Sequence, residues 1–119
     1  MKFQFDTNSP IYLQIVESFK NSILSGELAP NSKVLPVRDL ALQAGVNPNT
    51  MQKALAELER LNLVRTERTS GRFITDQNEQ IEQMRKEAAS AEIQSFILRM
   101  EKLGYQKDSL LAVMEEALK

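Results

Sequence analysis

Apolar residues recur at helical spacing in five stretches of this chain, and a short interval after the third switches to strand-like alternation. The pattern is sharpest from Ala44 to Leu61, AGVNPNTMQKALAELERL, where Met51, Ala54, Leu55, Leu58 and Leu61 make one stripe. Gly45 suits a tight turn, Asn47 a helix cap, and Pro48 the first helical position, where its missing N–H loses nothing. The opposite face carries Asn49, Gln52, Lys53, Ala56 and Arg60, short-chained near its start and nearly free of acid. Such a helix fits a DNA major groove: amides can read adenine there, and an ammonium can reach guanine or phosphate. The same pattern suits a helix merely packed on a core with a solvated outer face, so the flanking segments carry weight.

Upstream, Phe3 and Phe5 alternate in what should be a short extended arm ending near Asn8. Ser9 and Pro10 are expected to be the cap and first residue of a helix reaching about Ser25, with Ile11, Ile15, Phe19, Ile23 and Leu24 as its stripe and Gly26 ending it. A connector from Leu28 to Val34 leads to Pro36, which opens a helix over Val37–Ala44 that buries Val37, Leu40 and Ala41. Two short helices joined by a turn containing Gly make a helix-turn-helix. Downstream, Asn62 suits a left-handed cap, and Leu63–Thr66 and Arg72–Ile74 read as two short strands. Their tip, ERTSG, carries Arg68, and Arg72 follows it; a basic wing there would lie against phosphates or a minor groove, although ordinary surface hairpins also carry arginines.

From Thr75 the pattern predicts a helix over Asn78 to Leu103, about 26 residues and roughly 39 Å long. Its apolar positions are Ile81, Met84, Ala88, Ala91, Ile93, Phe96, Ile97, Met100 and Leu103. Gly104 ends it, and a last helix from Asp108 to Leu118 gathers Leu110, Leu111, Met114, Ala117 and Leu118. This hairpin holds more apolar surface than two helices can bury against each other. A second subunit is expected to cover Phe96, Ile97, Met100 and Leu103 together with Leu110, Leu111, Met114 and Leu118; a return of the hairpin onto the N-terminal domain is the other solution. A tail this short cannot enclose a cavity of several hundred Å³ within one subunit, so any effector site is expected between subunits, and no effector is specified.

Composition narrows the functions. The chain has 119 residues, no cysteine and no histidine, which removes disulfides, thiolate metal sites, a cysteine nucleophile and the commonest general base. No run approaches a membrane span and no signal segment opens the chain, so a cytoplasmic, cofactor-free protein that is not an enzyme is expected. The formal charge is −1, but it is unevenly placed. Seven basic residues (Lys33, Arg38, Lys53, Arg60, Arg65, Arg68, Arg72) face four acidic ones (Asp39, Glu57, Glu59, Glu67) between Lys33 and Arg72, while both flanks are net acidic. Phosphate attraction is screened within about 10 Å, so the local excess counts for more than the total.

With these residues in view, the chain resembles the GntR family of transcription regulators, specifically its short YtrA-like members. PIYLQI in the first helix, VRDLA in the second, GVNPNT followed by ALAEL in the third, and GRFI in the wing stand in the family's order and spacing. The resemblance implies DNA contact by Arg38, Asn47, Asn49, Thr50, Gln52, Lys53 and Gly71, and a two-helix dimerisation tail in place of a large effector domain. Departures fall at Val34-Leu35-Pro36-Val37-Arg38, where the family usually reads Leu-Pro-Ser-Val-Arg, and at Asn31-Ser32 in place of a Pro-Gly turn. In the wing, Thr69 stands where a glycine is common and Arg72 where threonine is common.

The expected fold is therefore mainly α: a winged helix-turn-helix DNA-binding domain over residues 1–75 and a helical dimerisation tail over 76–119. The expected function is sequence-specific regulation of transcription by a homodimeric repressor on an inverted repeat in double-stranded DNA. A winged module that binds protein and not DNA is the alternative.

Overall fold

A computed structural model describes all 119 residues, Met1 to Lys119. The elements run α1 (Ile11–Ser25), α2 (Val37–Ala44), α3 (Pro48–Arg60), β1 (Val64–Glu67), β2 (Gly71–Ile74), α4 (Asn78–Lys102) and α5 (Lys107–Ala117). The chain divides into two compact units, Met1–Ile81 and Glu82–Lys119, so the division falls inside α4. The architecture is the expected mainly helical winged helix-turn-helix followed by two further helices.

In the first unit, α3 packs across α1 and α2 and leads into the wing. Its stripe is wholly buried at Met51, Ala54, Leu55 and Leu58, and meets Ile15, Phe19 and Ile23 from α1 and Leu40 and Ala41 from α2 in the unit's core. Val16, Val34, Leu63, Val64, Ile74 and Ile81 complete the buried apolar set. Burying each such side chain contributes about 1.5–3 kcal/mol, so the register of α3 is held by its apolar stripe and not by its polar face.

The helix ends follow local chemistry, with one correction. Pro10 is not the first helical residue; it sits at the cap position of α1 with φ −56° and ψ 142°, and no side chain caps the helix there. Its carbonyl accepts from the N–H groups of Leu13 and Gln14. Ser9 is thus one position too early to cap. Its carbonyl instead accepts from Gln14 Nε2 at 2.8 Å, while Gln14 Oε1 accepts the Asp6 N–H at 2.9 Å. That clamp ties down the N-terminal arm, whose Phe3 ring lies 6.1 Å from Phe5 and 6.4 Å from Phe19.

The wing is an antiparallel pair with Val64 opposite Ile74 and Glu67 opposite Gly71, each strand reaching one residue further toward the tip than expected. The connector adds a single bridge to the outer edge of β2. Ile74 N–H donates to Ser32 at 2.8 Å, Val34 N–H donates to Arg72 at 2.9 Å, and Lys33 pairs with Phe73. Asn31 turns the chain into this pairing at φ 67°, and Asn62 turns it from α3 toward the wing at φ 62°. Asparagine tolerates that left-handed region better than most side chains, which accounts for the loss of a glycine at the Asn31 turn.

In the second unit the rest of α4 and α5 enclose little. Leu110 is its one buried apolar side chain, at 7% exposure; Phe96, Ile97 and Met100 are half-buried. Leu103, Leu111 and Leu118 are 73%, 69% and 82% exposed, and Ile93 and Met114 are also open to solvent. The apolar residues of α4 are spread around the helix, and every residue from Arg85 to Ser95 is exposed. No helix of the chain is long and apolar enough to cross a membrane.

Candidate nucleic-acid interface

The turn between α2 and α3 positions the candidate reading face. Gly45 at φ 68° lets the Val46 N–H return to the Ala41 carbonyl at 3.0 Å. Asn47 then caps α3, its Oδ1 accepting the Asn49 N–H at 2.8 Å, with Pro48 following at the first helical position. Because the opposite stripe is fully buried, Asn49, Gln52 and Lys53 are held out on the exposed side, with Thr50 half-buried beside them. Lys53 is further restrained: its Nζ lies 4.1 Å from the centroid of the Tyr12 ring on α1.

The cations of the basic segment fall into two groups. Arg60 pairs with Glu57, Arg65 with Glu67 and Arg72 with Glu59. Lys33, Arg38, Lys53 and Arg68 are the segment's remaining basic residues, and all four are exposed. Three of the four acids thus pair with arginines close to them and the fourth, Asp39, stands beside Arg38 on α2, so the excess positive charge rests on α3, the wing tip and the connector.

Arg72 does not project freely from the wing. Its Nε donates to Glu59 Oε1 at 2.9 Å, and Thr66 Oγ1 donates to the same oxygen, so one carboxylate at the end of α3 braces both wing strands. Burial pushes the Glu59 carboxyl up, but the hydrogen bonds from Thr66 and Arg72 and the Arg72 charge together outweigh it and leave the group below the usual carboxylate range. The hydrogen bond from Arg60, helped by its charge, likewise lowers Glu57. Arg65 serves the scaffold: it lies 5.1 Å from the Phe73 ring centroid and donates to the Ile74 carbonyl at 3.2 Å and to Asn31 Oδ1. Gly71 has φ 103°, a conformation that strains any side chain, and a Cβ there would stand 3.4 Å from the Lys33 side chain.

Comparison with known proteins agrees with this geometry. The family of bacterial regulatory proteins called gntR matches residues 11–74, from the start of α1 to the last residue of β2. The chain belongs to the GntR family. It is a DNA-binding transcriptional regulator, and its relatives are regulators and not enzymes. It is 36% identical to the uncharacterised regulator YhcF of Bacillus subtilis over 93% of this chain and 92% of that protein. It is 40% identical to the transcriptional repressor YtrA of B. subtilis, over 59% of this chain and 54% of that one. A solved GntR-family regulator from Listeria monocytogenes superposes with a TM-score of 0.82 at 38% identity, covering 94% of this chain and 98% of that one. Two of these likenesses run nearly end to end, so the chain has the layout of a short GntR regulator, tail included.

Of the residues singled out from the sequence, Asn47, Asn49, Thr50, Gln52 and Lys53 come together on the first turns of α3, Arg38 stands near the start of α2, and Arg68 at the wing tip. Arg72 is drawn instead into the Glu59 brace. Two further residues, to which the sequence alone assigns no role, have a part in this surface. Tyr12 stands in the conspicuous PIYLQI motif, and Glu59 is the second of two acids on α3, three residues before Asn62. Their roles depend on contacts across elements, which spacing does not reveal.

Proposed function

We propose that this GntR regulator is a homodimeric repressor that reads an inverted-repeat operator with α3 and braces itself on the backbone with α2 and the wing. The observation that carries the reading is the face of Asn49, Gln52 and Lys53: exposed, free of acid, and held by a fully buried opposite stripe. Gln52 and Lys53 would reach base edges, Asn49 and Thr50 bases or adjacent phosphates, and Arg38 a phosphate. Asn47 already uses its Oδ1 as a cap, so its amide nitrogen is the group to meet a phosphate. Arg68 would enter a minor groove or lie on the backbone, Gly71 would let the wing backbone come close, and Arg72 would contact phosphate while still tied to Glu59.

The tail supports the dimer. Ile93, Phe96, Ile97, Leu110, Leu111 and Met114, with Glu92, Arg99 and Lys107, line an open groove of about 630 Å³. A second copy of the hairpin is the occupant we propose, covering Phe96, Ile97, Met100 and Leu103 and Leu110, Leu111, Met114 and Leu118. Two linked winged units then gain affinity through effective concentration, and a two-fold dimer calls for half-sites a helical turn or a multiple apart. The repressor role draws on the likeness to YtrA.

The test is a binding titration on the DNA upstream of the protein's own gene across a range of salt. Binding should fall steeply as salt rises, with a slope of about −0.9 per neutralised phosphate, and footprints should appear in two symmetric halves. No preference for any fragment over random DNA would overturn the operator reading.

A further inference from the structure

We infer that Tyr12 is a positioning residue for DNA recognition, holding the Lys53 ammonium in place for the groove. The inference rests on the reading of Lys53 as a DNA contact and goes beyond it, because Tyr12 belongs to α1, outside the helix-turn-helix, and makes no sequence-level claim on DNA. The Nζ of Lys53 stands 4.1 Å from the Tyr12 ring centroid, within the range of a cation–π contact. Tyr12 is half-buried at the start of α1, two turns before Phe19 enters the core, so its ring is carried by a packed helix. Lys53 is exposed and has no carboxylate partner among the ion pairs of the unit, which leaves the ring as its restraint.

A free lysine must be ordered from many rotamers when it meets a base or phosphate, and that ordering weakens binding. The ring face removes part of the cost beforehand. It does so without neutralising the ammonium, as a carboxylate would, and an ammonium seated on a ring retains N–H donors for a second partner. The arrangement thus combines restraint with undiminished positive charge, which suits a cation that has to recognise DNA.

The experiment is a double-mutant cycle on the full chain, read by fluorescence-anisotropy titration against a labelled duplex of the DNA footprinted upstream of its own gene. Lys53→Ala should weaken binding roughly tenfold. Tyr12→Leu should weaken it about two- to fivefold and relax base preference at the position Lys53 meets, while Tyr12→Phe, which keeps the ring, should bind as the native chain does. In the Lys53→Ala background, Tyr12→Leu should bring no further loss. Equal losses from Tyr12→Leu in both backgrounds would mean that it acts through packing and would overturn the inference alone. A gain in affinity on Tyr12→Leu would overturn it too, since the ring would then compete with DNA for the ammonium. Tyr12→Phe binding as weakly as Tyr12→Leu would assign the effect to the hydroxyl and overturn it as well. If Lys53→Ala left affinity and base preference unchanged, the reading of Lys53 itself would fall, and the inference with it.

Discussion

The two units of this chain spend their apolar residues in opposite ways. Between Met1 and Ile81, the large aliphatic side chains of α3 are fully enclosed, and the polar residues of the same helix are left outside. Between Glu82 and Lys119, Leu110 is the one enclosed apolar residue, and leucines at 103, 111 and 118 face solvent. The first unit has a core of its own and offers polar chemistry at its surface. The second offers apolar surface, and an apolar surface of that kind marks a site of association. The proposed recognition of DNA and of a second copy would thus draw on different residue types on different units.

The contrast can be broken from either side, and the strongest effect is expected in the core. Leu58→Ala, at a fully buried position, should destabilise the winged unit by about 2–5 kcal/mol, measured by urea unfolding of the full chain. A cost under about 0.5 kcal/mol would mean the unit is not held by this stripe. Next is the tail. Leu111 is exposed in the single chain, so Leu111→Asp should leave each unit folded while weakening binding to paired half-sites about a hundredfold and binding to a single half-site hardly at all. Equal losses on both DNAs would instead place Leu111 in the fold.

The polar face gives a smaller and more local effect. Gln52→Ala should cost roughly 1–3 kcal/mol at the cognate site and relax preference at one base position, as read by a titration over operator variants. Unchanged base preference would remove Gln52 from the readers. The smallest effect belongs to the wing brace. Glu59 is held below the usual carboxylate range, so its contribution is present at neutral pH and lost as pH falls through that lowered value. The Thr66 and Arg72 amide signals should therefore move on acidification below the ordinary glutamate range, and Glu59→Gln should abolish that movement. An unaltered acid transition in Glu59→Gln would assign the change to another carboxylate.

Much of this was legible in the sequence, for reasons that differ by residue. The α3 stripe, the Asn47 cap, the Gly45 turn and the Asn62 turn are local signals, each governed by neighbours within a few positions. Pro10 was misplaced by one because a proline at the cap and a proline just inside the helix look alike in sequence. The bridge at Lys33 leaves no mark in the sequence because one paired residue carries no alternation, and its partner in β2 lies 40 positions on. Arg72 reads as a free wing cation from the sequence because its partner, Glu59, lies 13 residues earlier on another element. The pairing of Lys53 with Tyr12 spans two helices and leaves no periodic trace.

In the proposed dimer a second copy of the chain completes the exposed apolar face of the tail. Sedimentation velocity of the native chain and of Leu111→Asp, at matched micromolar concentration without DNA, tests it most directly. A native species of twice the 13.5 kDa chain mass, reduced to one chain by the substitution with helix content retained, is the predicted result. A native chain that sediments as a monomer, or a substituted chain that remains a dimer, would contradict it.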